Sequence, residues 1–241
     1  VGLLSPTQVA DPNEPNLVAD LFTGLTRFRG AKGTPVNAAA AKLETTDQTT
    51  WLVTLRKGWT FHDGSPMTPN SFVDAWNYAA YEPHGAANRS WFESIVGFDQ
   101  VSGQSPASQS LAGLQVVDDL QFTITLTQPN SQFPVMLASP AFAPLPQSFY
   151  ADPAAFVGNP IGNGPFRLAG AGDETEVVLE RFAEYAGPRA KVDRVTLLPE
   201  AAPGTEADVA LHRGEVPAED AATTQITRSE ERRVGKECVR L

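Results

Sequence analysis

Residues 51–76 read WLVTLRKGWTFHDGSPMTPNSFVDAW, and this stretch decides the fold. Its first residues alternate, with Trp51, Val53 and Leu55 in the apolar phase. A period of two residues is typical of a strand that buries one face. Lys57-Gly58 then interrupts the alternation, because a glycine at this place favours a turn. The sequence therefore predicts a half-buried strand that ends before residue 57.

A second apolar alternation follows, with Trp59 and Phe61, and it stops at residues 62–66, HDGSP. Asp-Gly followed by proline predicts a tight turn with a residue at positive φ. A catalytic role for His62 with Asp63 is disfavoured, because adjacent side chains at a strand end point to opposite sides and cannot serve one substrate as an acid–base pair. We therefore interpret this part as a short strand and a turn.

A helix is predicted to begin directly after this turn. Thr68 is a suitable N-cap residue, and Pro69 suits the first helical position. Phe72, Trp76 and Ala80 follow at spacings of four, which places them on one face of the helix. Large apolar side chains in the buried phase of an element are core residues far more often than ligand contacts. The whole stretch is therefore a structural signature.

The order of strand, turn, strand, Asp-Gly turn and proline-started helix resembles the signature segment of the family 5 extracytoplasmic solute-binding proteins. These proteins are the peptide-binding subunits of ABC importers, and their pattern reads L-R-x-x-x-x-F/W-x-D-G-x-P-[LVM]-T-A-x-D-F/V. The resemblance implies an α/β, periplasmic-binding-protein-like fold of type II. It also implies that function follows from the family and not from these side chains.

Further segments resemble the family in the same order along the chain. Residues 17–25 look helical, with leucines on one face, and 114–117 with 122–126 predict a hairpin. A short helix is expected at 133–137, a surface loop at 102–110, and strands at 177–181 and 191–199. The matching segments are Asp11-Pro12, 20–25 (DLFTGL), 113–129 (GLQVVDDLQFTITLTQP), 160–166 (PIGNGPF), 184–187 (EYAG, against N-x-x-Y-W-G) and 208–216 (DVALHRGEV).

The resemblance also implies a division into domains. Residues 1–33 form the first part of a large domain I, residues 34–155 a small α+β domain II, and residues 156–227 the return to domain I. From the family's usual length we expect a third domain to be missing from this sequence and the fold to be incomplete. Paired glycines at Gly162 and Gly164 suit a backbone that bends sharply or approaches a neighbour closely.

The last residues, 228–241, are interpreted as a non-native tail. RSEERRVGKEC, at 228–238, looks like the translation of a sequencing-adapter oligonucleotide, and such a segment is excluded from fold reasoning. The alternative is a charged, solvated terminal helix. The tail contains Cys238, the single cysteine of the chain.

Composition excludes several classes of function. The 241 residues have a formal net charge of −10. Without the tail, residues 1–227 contain no cysteine, which argues against a disulfide scaffold, a thiol nucleophile and a zinc–cysteine site. We expect no nucleic-acid partner, because no basic patch could neutralise phosphates. The apolar runs are too short to span a bilayer. The sequence begins at Val1, and we expect that a targeting segment was either processed off or lies upstream of it. From the resemblance we expect an extracytoplasmic location, with any membrane association through a lipid anchor outside this chain.

No catalytic or cofactor site is expected. The chain has no G-x-S-x-G sequence, and its three histidines, His62, His84 and His212, stand in unrelated contexts. No metal-ligand spacing of the H-x-x-x-H or calcium-loop type is present. A secreted hydrolase that uses an unrecognised carboxylate pair stays as an alternative from another class.

The resemblance implies a binding site for a peptide or other small solute, held between two lobes that close by a hinge motion. Partners would be the permease subunits of an ABC importer, and the protein would be a monomer. Other members of the family bind carbohydrate, nickel or haem, and these ligands remain alternatives. Trp91 and Phe92 have a second interpretation as core residues of domain II. The candidate ligand contacts are Asn13, Glu14, Asn88, Trp91, Phe92, Gly162, Asn163 and Gly164.

Overall fold

The computed structural model describes residues 6–8, 17–29, 33–169, 177–197, 209–210 and 225–226. The α-helices in these ranges are α1 (Leu17–Leu21), α2 (Pro69–Ala80), α3 (Phe133–Met136) and α4 (Pro153–Gly158). The strands are β1 (Thr26–Arg29), β2 (Thr34–Asn37), β3 (Ala40–Glu44), β4 (Thr50–Leu55), β5 (Leu114–Val116), β6 (Gln121–Thr125), β7 (Phe166–Leu168), β8 (Val177–Arg181), β9 (Arg194–Leu197), β10 (Val209–Ala210) and β11 (Gln225–Ile226). Short 3₁₀ helices cover Pro6–Gln8, Glu82–His84, Arg89–Phe92, Phe98–Val101, Pro140–Phe142 and Gln147–Ala151.

The largest described sheet has four antiparallel strands in the order β3-β4-β6-β5. Strand β4 is the predicted strand of the signature, and its apolar phase is buried as expected. Trp51 lies opposite Ile124 and Val53 opposite Phe122, so the apolar phases of β4 and β6 share one face. The predicted hairpin is present as β5 and β6, and Gln121 N–H donates to the Asp118 carbonyl across its turn at 3.4 Å.

Helix α2 covers the apolar face of this sheet. It begins as predicted after Thr68, whose N–H donates to Ser71 Oγ at 3.1 Å. Phe72 stacks on Phe122 with ring centroids 5.9 Å apart, which joins the helix to β6. Trp76 is fully buried, and its indole N–H donates to the Phe142 carbonyl at 3.1 Å. The polar atom of this large side chain is therefore satisfied inside the core.

The predicted second strand of the signature is absent from this part of the structure. Residues 59–67 form a tight loop with one isolated bridge, between Thr60 and Pro66. Gly58 and Gly64 both have positive φ, at 82° and 81°, so turns bound residues 59–63 on each side. Too few residues remain between these turns for a ladder, although Trp59 and Phe61 are buried as their phase predicted.

Helix α1 is shorter than the pattern over residues 17–25 predicted. It ends at Leu21, and Leu25 lies just before β1. Gly164 N–H donates to the Leu21 carbonyl at 2.8 Å. In a longer helix that carbonyl would accept from residue 25. A contact from a segment more than 140 residues away therefore ends the helix.

The described ranges contain three smaller sheets. Strands β1 and β2 form an antiparallel pair, and β7-β8-β9 form a three-stranded antiparallel sheet. Strand β8 is the strand predicted at 177–181, and β9 covers 194–197 of the strand predicted at 191–199. The helix predicted at 133–137 is α3, and the loop at 102–110 has mostly exposed residues. Within the 208–216 segment only Val209–Ala210 is described, as strand β10 paired with β11.

No helix in the described ranges is both long enough and apolar enough to cross a membrane. The division at residues 33, 155 and 227 stays a prediction. The tail at 228–241 and the Asp11-Pro12 segment lie outside the described residues.

Candidate ligand-binding site

The crossover, which we define as residues 160–166, lies directly against helix α1. A Cβ atom at Gly162 would stand 1.8 Å from the Leu21 carbonyl oxygen, and one at Gly164 would stand 2.5 Å from the Asp20 carbonyl oxygen. No side chain fits at such distances. The prediction that these glycines allow a close backbone approach is thereby confirmed.

Asn163, between the two glycines, joins the crossover to the segment after α1. Its Oδ1 accepts from Thr23 N–H at 2.9 Å, and its Nδ2 donates to the Thr23 carbonyl at 2.9 Å. The same nitrogen lies 3.3 Å from the sulfur of Met67, in the signature loop. Asn163 is buried, and its amide pairs with one residue as a neighbouring strand would. Its role in the described structure is therefore to join three segments.

His62, from the signature turn, holds the other side of the crossover. Its backbone N–H donates to the Gly162 carbonyl at 2.7 Å, and its Nδ1 accepts from Gly162 N–H at 3.1 Å. Its Nε2 lies 3.2 Å from the Gly164 carbonyl, so the proton of the neutral ring belongs on Nε2. Burial lowers the pKa of His62 to about 4, more than the hydrogen bond to Gly164 raises it. The sequence assigned no role to this histidine.

Asn88 stands at the start of the 3₁₀ helix Arg89–Phe92 and is buried. Its Nδ2 donates to the Pro6 carbonyl at 3.0 Å and lies 3.5 Å from the Ala141 carbonyl. Its Oδ1 is buried and has no hydrogen-bond partner in the described structure. A buried acceptor without a hydrogen-bond partner destabilises the folded state. The Oδ1 of Asn88 is therefore suited to accept a hydrogen bond from an added donor.

Trp91 and Phe92 differ in their surroundings although they are adjacent. Phe92 is fully buried, with its ring centroid 5.1 Å from that of Phe142 and 6.3 Å from that of Trp76. Trp91 is half-buried and meets Phe142 edge-on at 6.1 Å. In this conformation Phe92 belongs to the core, and Trp91 is the one of the two with indole surface open to solvent.

The side chain of Arg89 contacts other groups of the protein. Its guanidinium lies 4.2 Å above the Phe98 ring and 3.4 Å from the Glu82 carboxylate, and its Nε donates to the Ala80 carbonyl at 3.0 Å. This arginine is therefore held by protein groups.

The structure thus brings the six described candidates into two groups. Gly162, Asn163 and Gly164 contact α1 and the signature loop, whereas the stretch from Asn88 to Phe92 contacts residues 6–8 and 140–142. Asn13 and Glu14 lie outside the described residues. Ligand contact by any of these residues stays a prediction. No group of three or more histidine, cysteine, aspartate or glutamate side chains in the described ranges is arranged to hold a metal ion.

The topology and the two signature segments define a solute-binding protein of the periplasmic type. The chain belongs to the bacterial extracellular solute-binding proteins, family 5, because residues 34–236 match the model of that family's middle region. The matched range includes part of the 228–241 segment, whose origin stays a prediction. Family membership confirms the expected mixed α/β, family 5 fold.

Relatives named for peptide binding are similar over most of this chain. The periplasmic oligopeptide-binding protein OppA of Salmonella typhimurium is 30% identical over 204 residues, which are 81% of this chain and 37% of that protein. The periplasmic murein peptide-binding protein MppA of Escherichia coli is 27% identical over 201 residues, with the same two coverages. The solved structure of Burkholderia pseudomallei OppA superposes with a TM-score of 0.73 at 26% identity, covering 82% of this chain and 39% of that one. The chain therefore spans about two fifths of the length of these relatives.

We expect His62 to make the chain less stable in mild acid. Because the folded pKa of about 4 lies below the unfolded value of 6.5, the unfolded state binds more protons between these pH values. Stability from this group is fully present above pH 6.5 and falls as the pH drops towards 4. The loss is at most about 3 kcal/mol.

Urea unfolding of the full chain at pH 7.5, 5.5 and 4.5 measures this effect. The quantity of interest is the slope of the unfolding free energy against pH. His62→Asn should remove the contribution of His62 to this slope, because asparagine does not titrate. His84→Asn, at an exposed histidine, is the matched control and should retain it. An unchanged slope in His62→Asn would contradict the assignment.

We expect Gly162→Ala to destabilise the fold by about 3 kcal/mol or more, because the added methyl group cannot avoid the Leu21 carbonyl. Gly158→Ala is the matched control, since a Cβ there meets nothing within 4 Å, and it should change stability by less than about 1 kcal/mol. Urea midpoints of both variants report the difference. Equal midpoints would show that the crossover relaxes away from α1.

Proposed function

We propose that this chain is part of an extracytoplasmic receptor that binds oligopeptides and delivers them to the permease of an ABC importer. The observation that carries the proposal is the family match over residues 34–236, together with relatives named for oligopeptide and murein peptide binding. These relatives are binding proteins, and we extend their role to this chain as a receptor that performs no chemistry. The protein would act outside the cytoplasm as a monomer, held to the membrane, if at all, by a lipid anchor.

The packing around Trp91 favours a peptide as the ligand. Phe92 and Phe142 fix the short 3₁₀ helix in the core, so the neighbouring indole is presented at the surface with little freedom. An aromatic face accepts varied side chains, because its contact is apolar and does not depend on one hydrogen-bond pattern. The unpartnered Oδ1 of Asn88 would be available to a main-chain N–H group after a small displacement of the segments that bury it.

In this proposal the crossover has a structural role, in addition to the ligand contacts predicted for Gly162, Asn163 and Gly164. Its glycines touch α1, and the amide of its asparagine pairs with Thr23 and lies against the sulfur of Met67. The crossover thereby holds α1, the segment after α1 and the signature loop together. A second lobe could then close over the ligand as a rigid body, and the closed form would be the one the permease selects.

The proposal is tested on the complete protein that contains this chain, by thermal shift against peptide pools of two to nine residues. A peptide receptor should gain several degrees, because a ligand that binds only the folded state stabilises it by mass action. Peptides recovered intact after prolonged incubation would support a binder, whereas their cleavage would indicate the hydrolase alternative. A shift with oligosaccharides, haem or nickel chelates but with no peptide would contradict the proposed ligand class.

We expect Trp91→Ala to weaken peptide binding by about tenfold or more while it leaves the unfolding temperature nearly unchanged. Phe92→Ala should instead lower the unfolding temperature strongly, because it removes a fully buried ring. Phe28→Ala, which removes an aromatic ring that is 54% exposed on β1, is the control for loss of surface area and should retain affinity. Calorimetric titration with one peptide from the pool measures all three. Unchanged affinity in Trp91→Ala would remove this residue from the site.

A further inference from the structure

A cleft of about 300 Å³ lies between β1, the end of β4 and the turn after β8. None of the six described residues that are predicted to bind a ligand lines it. It is wide open at the surface and has the size of a small-molecule site. Its lining includes Arg27, Arg56, Trp59, Tyr185, Ala186 and Gly187.

One wall of the cleft is aromatic and rigid. Trp59 is buried, and Tyr185 meets it edge-on with ring centroids 5.4 Å apart. The Tyr185 hydroxyl lies 3.0 Å from Thr23 Oγ1, so this ring is fixed at both ends. The backbone of Gly187 lies against the same ring, where a Cβ would stand 2.5 Å from it. The wall therefore offers ring surfaces, with the Tyr185 hydroxyl already engaged by Thr23.

The cleft also contains two guanidinium groups. Arg56 Nε donates to the Ala38 carbonyl at 3.0 Å, which positions the group and leaves its terminal nitrogens for other partners. Within the described part of the chain, the arginines that form ion pairs are Arg89, Arg167 and Arg181. Neither Arg56 nor Arg27 does so. In a chain of net charge −10, two arginines without a carboxylate partner beside one cleft create a local positive site.

We propose that this cleft binds a small aromatic carboxylate. A planar guanidinium pairs with a carboxylate through two parallel hydrogen bonds, which an ammonium group cannot do. The attached ring would lie against the indole and phenol wall, where aromatic contact adds to the burial of apolar area. A single ring with one carboxylate is small enough to enter the cleft. The proposal does not depend on the peptide-receptor function.

A small residue, Ala186, lines the cleft next to Tyr185. The turn 184–187 reads EYAG, where the family pattern N-x-x-Y-W-G has tryptophan at the third of these positions. Ala186 is exposed and lines the cleft. A tryptophan there would have its side chain beside the cleft, so the substitution Ala186→Trp is a way to obstruct the site without changing any charge.

Ligand-observed NMR and calorimetric titration of the full chain with benzoate test the proposal, with benzamide as the uncharged isostere and acetate as the anion without a ring. We expect benzoate to bind at millimolar concentration or tighter, and the two analogues to bind at least fivefold more weakly. Arg27→Gln should weaken benzoate binding at least fivefold. Ala186→Trp should abolish it, with an unchanged far-ultraviolet spectrum and unfolding midpoint.

Arg29→Gln is the matched control. It makes the same charge change on the same strand, at an exposed arginine that does not line the cleft, and it should alter benzoate affinity less than twofold. An equal loss in Arg27→Gln and Arg29→Gln would overturn the site in favour of a general charge effect. Equal binding of benzamide would overturn the role of the arginines, and equal binding of acetate would overturn the role of the ring. The absence of benzoate binding at 10 mM, about ten times the weakest affinity expected, would overturn the proposal altogether.

Discussion

The contact between the crossover and helix α1 leaves no space for a side chain, and the rest of the described structure depends on it. Gly164 N–H occupies the Leu21 carbonyl and thereby ends α1. Asn163 pairs with Thr23 on both sides of its amide, and Thr23 in turn holds the Tyr185 hydroxyl. His62 brings the signature turn to the same place. Segments far apart in sequence therefore meet at a joint whose hydrogen bonds are all backbone or neutral, which suits a buried site.

Each of the two surfaces that we propose to bind ligands is positioned by buried rings. The aromatic core around Trp76 and Phe142 fixes the 3₁₀ helix that carries Trp91, because Phe92 is one of its members. At the second surface, Tyr185 supports the cleft with its two arginines. In both cases a buried ring fixes the position of a more exposed side chain. That arrangement reduces the conformational entropy lost on ligand binding and favours a receptor scaffold over a flexible loop.

Sequence reasoning predicted the elements whose periodicity and capping agree with their burial. Strand β4, helix α2, the β5–β6 hairpin and the close approach at Gly162 were all predictable from residue type and spacing. It failed where a distant contact decides the outcome. The helix over 17–25 stops early because of the crossover, and the strand at 59–61 is lost between two positive-φ glycines. Within the candidate site, the pattern grouped Trp91 with Phe92, although only packing tells which ring is covered.

The sequence by itself determined the family, since the order of strand, Asp-Gly turn and proline-started helix is set by local propensities that agree with the tertiary fold. It also determined the acidic charge and the glycines at the crossover. Only the tertiary structure decided the role of His62, whose neutral state comes from burial between segments 100 residues apart. It alone placed Arg27 and Arg56 beside one cleft, because their proximity follows from how β1 and the end of β4 pack, which no local pattern encodes.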